Sequence, residues 1–212
     1  MSTTPVATKL MILRHAEKPP QPPQVPPPFG ITANGDQAFE SLTVRGWQRA
    51  GALVSLFVPS PGQKTAHPAL ALPAFVYATA VKADKEDDAA KGDAKIGSKS
   101  HRPQETITPL LEKLGPATRH NFSFNKGEEA ALVAAAMACK GVVLICWQHE
   151  KIPVMAASLP INPATPVPKD WPVDGSGAGR YDLIWVFDLN PKTGQYAFSQ
   201  IFQCLLAGDL PN

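Results

Sequence analysis

Little in this chain points to disulfides, membranes or nucleic acid. Its 212 residues include three cysteines, Cys139, Cys146 and Cys204, a sparse and odd set that forms no disulfide framework and fits a reducing compartment. Cys139 and Cys146 lie in apolar stretches and read as inert core thiols. No apolar run approaches the roughly 20 residues of a helical membrane span. The N-terminus lacks a basic segment followed by a long apolar stretch, so no signal peptide is expected and a cytoplasmic protein is the default. Lysine and arginine (20) nearly balance aspartate and glutamate (18), and a formal charge of +2 supplies no strong field for nucleic acid or an anionic membrane surface. The five histidines show no zinc-type spacing, so neither a metal nor a cofactor is expected. No internal repeat is visible.

Proline, by contrast, is abundant at 23 residues and clustered. Pro19 to Pro28 has few backbone donors to offer helix or sheet, so it reads as an extended, polyproline-like loop. A second Pro-rich loop runs from Pro160 to Pro172, and the stretch from Lys82 to Lys99, rich in Lys, Asp, Ala and Gly, reads as a mobile surface insertion. Between these loops, Ser41 to Phe57 has a helical pattern with Thr43 as N-cap, and Ala74 to Thr79 reads as a strand. A helical pattern resumes at Thr106 and runs to Leu114. Gly127 to Lys140 is the clearest helix, acidic at its start, with Gly141 at the expected C′ position. Tyr181 to Asp188 and Tyr196 to Cys204, joined by a turn around Asn190-Pro-Lys-Thr-Gly194, read as a terminal hairpin. The alternation of helices and strands over residues 1–212 predicts one domain, a three-layer α/β/α sandwich with a mostly parallel central sheet and a C-terminal antiparallel hairpin.

Two histidines stand just past short apolar runs. Lys9-Leu-Met-Ile-Leu13 leads into Arg14-His15, and Gly141-Val-Val-Leu-Ile-Cys146 leads into Trp147-Gln-His149-Glu150. Buried parallel strands read as such runs, and ligands of open α/β sheets bind beyond their carboxyl ends. An arginine beside the first histidine suggests an anionic substrate, with phosphate leading.

The segment Leu13-Arg14-His15-Ala16-Glu17-Lys18 resembles the RHG-type signature of the histidine phosphatase superfamily, also called the phosphoglycerate mutase-like family. Leu42-Thr-Val-Arg-Gly-Trp-Gln-Arg-Ala50 resembles its Leu-Thr-x-x-Gly-x-x-Gln-Ala helix start, and Ser98 to Thr106 its Ser-x-x-x-Arg-x-x-x-Thr segment. His149 falls where the second histidine of the family falls.

The resemblance implies a metal-independent phosphomonoester hydrolase in which His15 attacks phosphorus and carries the phosphoryl group as phosphohistidine. Arg14 and Arg102 would clamp the phosphoryl oxygens, and His149 would donate a hydrogen bond to them. Thr106 would steady the Arg102 segment. The proton donor is open: Glu150 is preferred, and Glu128, Glu129 and Glu17 are alternatives, although acidic residues in a first helical turn are also favoured by the dipole. Some compact family members lack a dedicated acid, which suits good leaving groups. Glu150 stands where the family normally has glycine, and the Lys82–Lys99 insertion separates segments that the family keeps close.

The expected partner is a phosphorylated small molecule or phosphoprotein, with no nucleic acid and no membrane. The alternatives are a mutase, a phosphohistidine protein phosphatase, or a non-catalytic member that binds phosphate or a phosphopeptide. The glycine-rich stretch Gly175-Ser-Gly-Ala-Gly179 lacks a P-loop lysine and reads as a flexible loop.

Overall fold

In the computed structural model the described residues are 6–22, 24–60, 62, 67–81 and 98–209. Along them run β1 (Ala7–Arg14), α1 (Val44–Phe57), β2 (Phe75–Ala78), α2 (Arg102–Leu114), β3 (Arg119–Asn121), α3 (Glu129–Ala138), β4 (Gly141–Trp147), a 3-10 turn (His149–Lys151), α4 (Ile152–Ala157), β5 (Leu183–Asn190) and β6 (Gln195–Phe202). Most of the expected insertion from Lys82 to Lys99 lies outside the described residues, which resume at Ser98.

The strands form a six-stranded mixed sheet in the order β3-β2-β4-β1-β5-β6. β3, β2, β4 and β1 are mutually parallel, whereas β5 runs antiparallel to both β1 and β6. The chain is thus α/β, with the expected terminal hairpin at one edge of the sheet. The two apolar runs that precede the histidines are neighbouring parallel strands, with Leu13 opposite Cys146 and Arg14 opposite Trp147.

Burial on both faces explains why those runs are continuously apolar. Leu10 and Ile12 of β1 join Val143, Ile145 and Trp147 of β4 in a cluster that includes Leu132 and Val133 of α3 and Met155 of α4. Met11 and Leu13 turn the other way, into a cluster with Leu144 and Cys146, Leu53 and Phe57 of α1 and Ile107 and Leu110 of α2. Each of these large side chains contributes about 1.5–3 kcal/mol on burial. The cores hold the sheet rigid, and the sheet sets the positions of the residues that leave its carboxyl end.

Thr43 caps α1 as its spacing predicts, its hydroxyl accepting the Gly46 N–H at 3.2 Å. α2 begins at Arg102, earlier than the resumed pattern at Thr106, with Pro103 in its first turn, where a missing N–H costs nothing. α3 is shorter than the Gly127–Lys140 pattern and ends at Ala138, so Gly141, at φ 103°, opens β4 and does not cap the helix. Among the described residues no helix is long and apolar enough to cross a membrane.

Candidate active site

β1 and β4 deliver both histidines to the same end of the sheet. The His15 N–H continues the ladder by donating to the Trp147 carbonyl at 3.0 Å, and His149 follows two residues later at the head of the 3-10 turn. His15 is buried, with 4% of its surface exposed. Its Nδ1 lies 2.8 Å from the Ala16 carbonyl oxygen. A carbonyl only accepts, so the bond places the proton on Nδ1 and leaves the Nε2 lone pair free. Burial, reinforced by Arg14, Arg102 and Lys18 against the pull of the Ala16 bond, holds the imidazole pKa well below 6.5. His15 is therefore a neutral base or nucleophile at physiological pH.

The loop that carries His15 is pinned from two helices. Thr106 of α2 is fully buried; its hydroxyl accepts the Ala16 N–H at 2.8 Å and donates to the Arg102 carbonyl at 2.7 Å. From α1, Thr43 donates its N–H to the Glu17 carbonyl at 3.0 Å. Gly46 permits this approach, since a Cβ there would stand 2.5 Å from the Glu17 carbonyl oxygen.

Arg14 stacks over the Tyr181 ring, its Cζ 3.7 Å from the centroid, and donates from Nη1 to the Gly179 carbonyl. Among the described residues its buried Nε has no hydrogen-bond partner. Tyr181 in turn lies 6.2 Å, ring to ring, from His15. Arg102 leaves the first turn of α2 and is held in place by the carbonyls of Ser41 (3.3 Å) and Phe39 (2.8 Å), the Ser100 hydroxyl (3.2 Å) and Glu40 (3.2 Å). Lys18 completes the cationic lining: it is half-buried, and burial together with Arg14 and Arg102 lowers its pKa.

His149 places Nδ1 3.3 Å from Glu150 Oε2. Burial and then Arg14 lower its pKa to about 4, outweighing Glu150. With the imidazole neutral, the contact is not an ion pair. The adjoining Gln148, buried with 7% exposed, donates from Nε2 to Thr79 at 3.3 Å, and among the described residues its Oε1 has no partner.

The carboxylates are all engaged. Burial alone would raise the Glu150 pKa, but the Lys126 ammonium at 2.6 Å and backbone bonding hold it below the usual range. Glu17 turns toward α1, where Arg49 (2.8 Å) and Arg45 (3.2 Å) bind it. Glu128 accepts the Asn125 N–H at 2.6 Å, and Glu129, 4% exposed, accepts the Trp147 indole N–H at 3.1 Å and the Gly127 N–H at 3.0 Å. All four are thus tied by hydrogen bonds or ion pairs, and Glu150 is held ionised rather than as the protonated carboxyl a general acid needs.

The structure thus brings together Arg14, His15, Arg102 and His149 with Glu150 behind the second histidine, and it adds Lys18, Tyr181 and Gly179, which the sequence patterns do not single out. A neutral imidazole faced by fixed cations can hold an anion and attack it. Among the described residues no group of three or more His, Cys, Asp or Glu side chains could hold a metal ion. The chain matches no protein-family model and no curated protein.

Proposed function

We propose that the chain is a metal-independent phosphomonoester hydrolase of the histidine phosphatase type, built as one three-layer α/β/α domain and working in the cytoplasm through a phosphohistidine at His15. The observation that carries this reading is the buried His15 ring, its Nδ1–H held by Ala16 and its Nε2 free, with Arg14, Arg102 and Lys18 around it. The clusters on the two faces of the sheet support the layered arrangement, and the unpaired Cys139, Cys146 and Cys204 suit a reducing compartment.

In the first step His15 Nε2 attacks phosphorus and the bond to the leaving oxygen breaks, its electron pair passing to that oxygen. Water then attacks the phosphohistidine, restoring Nε2 and releasing inorganic phosphate. Arg14, Arg102 and Lys18 match the charge on the equatorial oxygens. An arriving dianion favours the protonated form of His149 by opposing Arg14 and Lys18, which lower its pKa after burial, and Glu150 lies beside its Nδ1 at 3.3 Å. Glu150 then orients a proton donor and is not itself the acid. Leaving groups that need little protonation are the favoured substrates.

A second reading, a non-catalytic phosphate-binding domain, draws support from the engaged carboxylates. Hydrolysis of p-nitrophenyl phosphate in EDTA between pH 5 and 8, by the native chain and by His15→Ala, decides between them. Turnover that vanishes in the variant, together with a transient phosphate on His15 by intact-protein mass spectrometry, supports the enzyme. Phosphate binding without turnover supports the second reading, and turnover that survives in His15→Ala removes His15 from the chemistry.

A further inference from the structure

The glycine-rich stretch after the second Pro-rich loop is a folded turn. The Asp174 carboxylate Oδ1 accepts the Ser176 N–H at 2.8 Å, the Ser176 hydroxyl at 2.6 Å and the Ala178 N–H at 3.1 Å. The Asp174 N–H donates to the Ala178 carbonyl at 2.7 Å, the Gly177 N–H returns to the Asp174 carbonyl at 3.0 Å, and Val173 bridges Gly179. The base is closed by the Arg180 N–H on the Pro172 carbonyl at 2.9 Å and anchored by the Trp171 indole on the Arg180 carbonyl at 2.8 Å.

Residues 173–178 are exposed and bond to one another, whereas Gly179 is buried. Among the described residues, the hydrogen bond that ties 173–179 to the body of the protein comes from Arg14 to the Gly179 carbonyl. Gly179 also lies against the second histidine: a Cβ there would stand 2.5 Å from His149 Cδ2, 2.9 Å from His149 Nε2 and 3.1 Å from Arg14 Nη1.

We infer that residues 173–179 are an intrasteric strap, in which the Gly179 carbonyl occupies the anion seat of Arg14 and His149 until a phosphoryl anion displaces it. The inference rests on the proposed phosphate site. A carbonyl oxygen satisfies one guanidinium donor and leaves the buried Arg14 Nε orphaned, a costly state that a multidentate anion relieves. The strap also has room to move, because Val173, Asp174 and Gly175 border a cavity of about 300 Å³ whose other walls include Arg45, Arg180 and Asp209. With its bonds almost all internal, it can swing as a unit about Pro172 and Arg180. Phosphate affinity is then reduced by the fraction of time the strap is seated.

Two variants at the exposed Asp174 separate charge from turn geometry. Asp174→Asn removes the negative charge near the seat and keeps an acceptor, whereas Asp174→Ala also dissolves the turn. Calorimetric titration with inorganic phosphate is expected to give a Kd about tenfold lower for Asp174→Ala than for Asp174→Asn. Phosphate is expected to raise deuterium uptake of the native chain at the Arg180 amide, whose bond to the Pro172 carbonyl closes the hinge, while the Gly177 and Ala178 amides, bonded within the strap, keep their protection. Equal Kd values with Arg180 uptake unmoved by phosphate would overturn the strap and leave the phosphate site intact. No phosphate binding by any of the proteins, even with the strap of Asp174→Ala exchanging freely, would overturn both the strap and the proposed function.

Discussion

His15 and His149 stay neutral for the same physical reason, and the consequence is a displaced pH profile. Burial and nearby cations depress both pKa values, that of His149 to about 4. The acid limb of kcat/KM is therefore expected well below the 6.5 of a free imidazole, so p-nitrophenyl phosphate turnover at pH 5.5 should remain close to its pH 7 value. A limb centred near 6.5 would show that the cations do not reach the imidazoles. Lys18→Met, which keeps the stem and removes the charge, is expected to raise KM about tenfold with a smaller change in kcat, as loss of an anion contact does. The Arg14-His15 pair was legible because an apolar run ends on it. Lys18 was not, since a lysine in a polar, Pro-flanked loop looks solvated until the fold brings Arg14 and Arg102 beside it. The ionisation of Glu150 was equally hidden, because it depends on Lys126, 24 residues away in sequence.

The helix starts act as clamps on the loop that carries His15. Thr43→Ala removes the cap of α1 and is expected to cost about 1 kcal/mol in urea unfolding. Thr106→Val orphans the buried Ala16 N–H and is expected to cost about 1–3 kcal/mol and to lower kcat by loosening the His15 loop. If the stability falls and kcat does not, Thr106 serves the fold alone. β1, α1, β4 and the hairpin were readable from periodicity, caps and turn residues. β3 was not, because its three residues, Arg119-His120-Asn121, are exposed or half-buried and present no pattern. The early start of α2 was missed for a related reason: Arg102 and Pro103 look like loop residues until tertiary bonds hold the arginine.

One ion network ties the two ends of the described chain to the site. Arg49 of α1, 2% exposed, bonds Glu17 of the His15 loop at 2.8 Å and Asp209 near the C-terminus at 2.7 Å. Burial disfavours its charge, but Asp209 and Glu17 more than offset this and raise its pKa. Arg49→Leu leaves those carboxylates uncompensated and is expected to cost about 3–5 kcal/mol, read as a lower urea midpoint together with lost turnover. Global stability should also fall with acid. Below 6.5 the unfolded chain protonates His15 and His149 while the folded chain does not, so the loss begins there and continues toward pH 4 for His149. The Asp209 carboxyl adds to it only at lower pH: burial would raise its pKa, but Arg49 holds it below 3.8, so its contribution is lost as pH falls through that range. The two parallel strands that end beside His15 and His149, the Thr43 cap and the terminal hairpin were written in local patterns of hydrophobicity and turn chemistry, which act over a few residues, whereas the place of Arg102 was implied only by the family resemblance. Which donors remain free, which carboxylates are tied and what covers the anion seat depend on contacts between residues as far apart as Arg14 and Gly179. Local patterns carry no record of such contacts, and folding alone brings those groups within hydrogen-bonding distance.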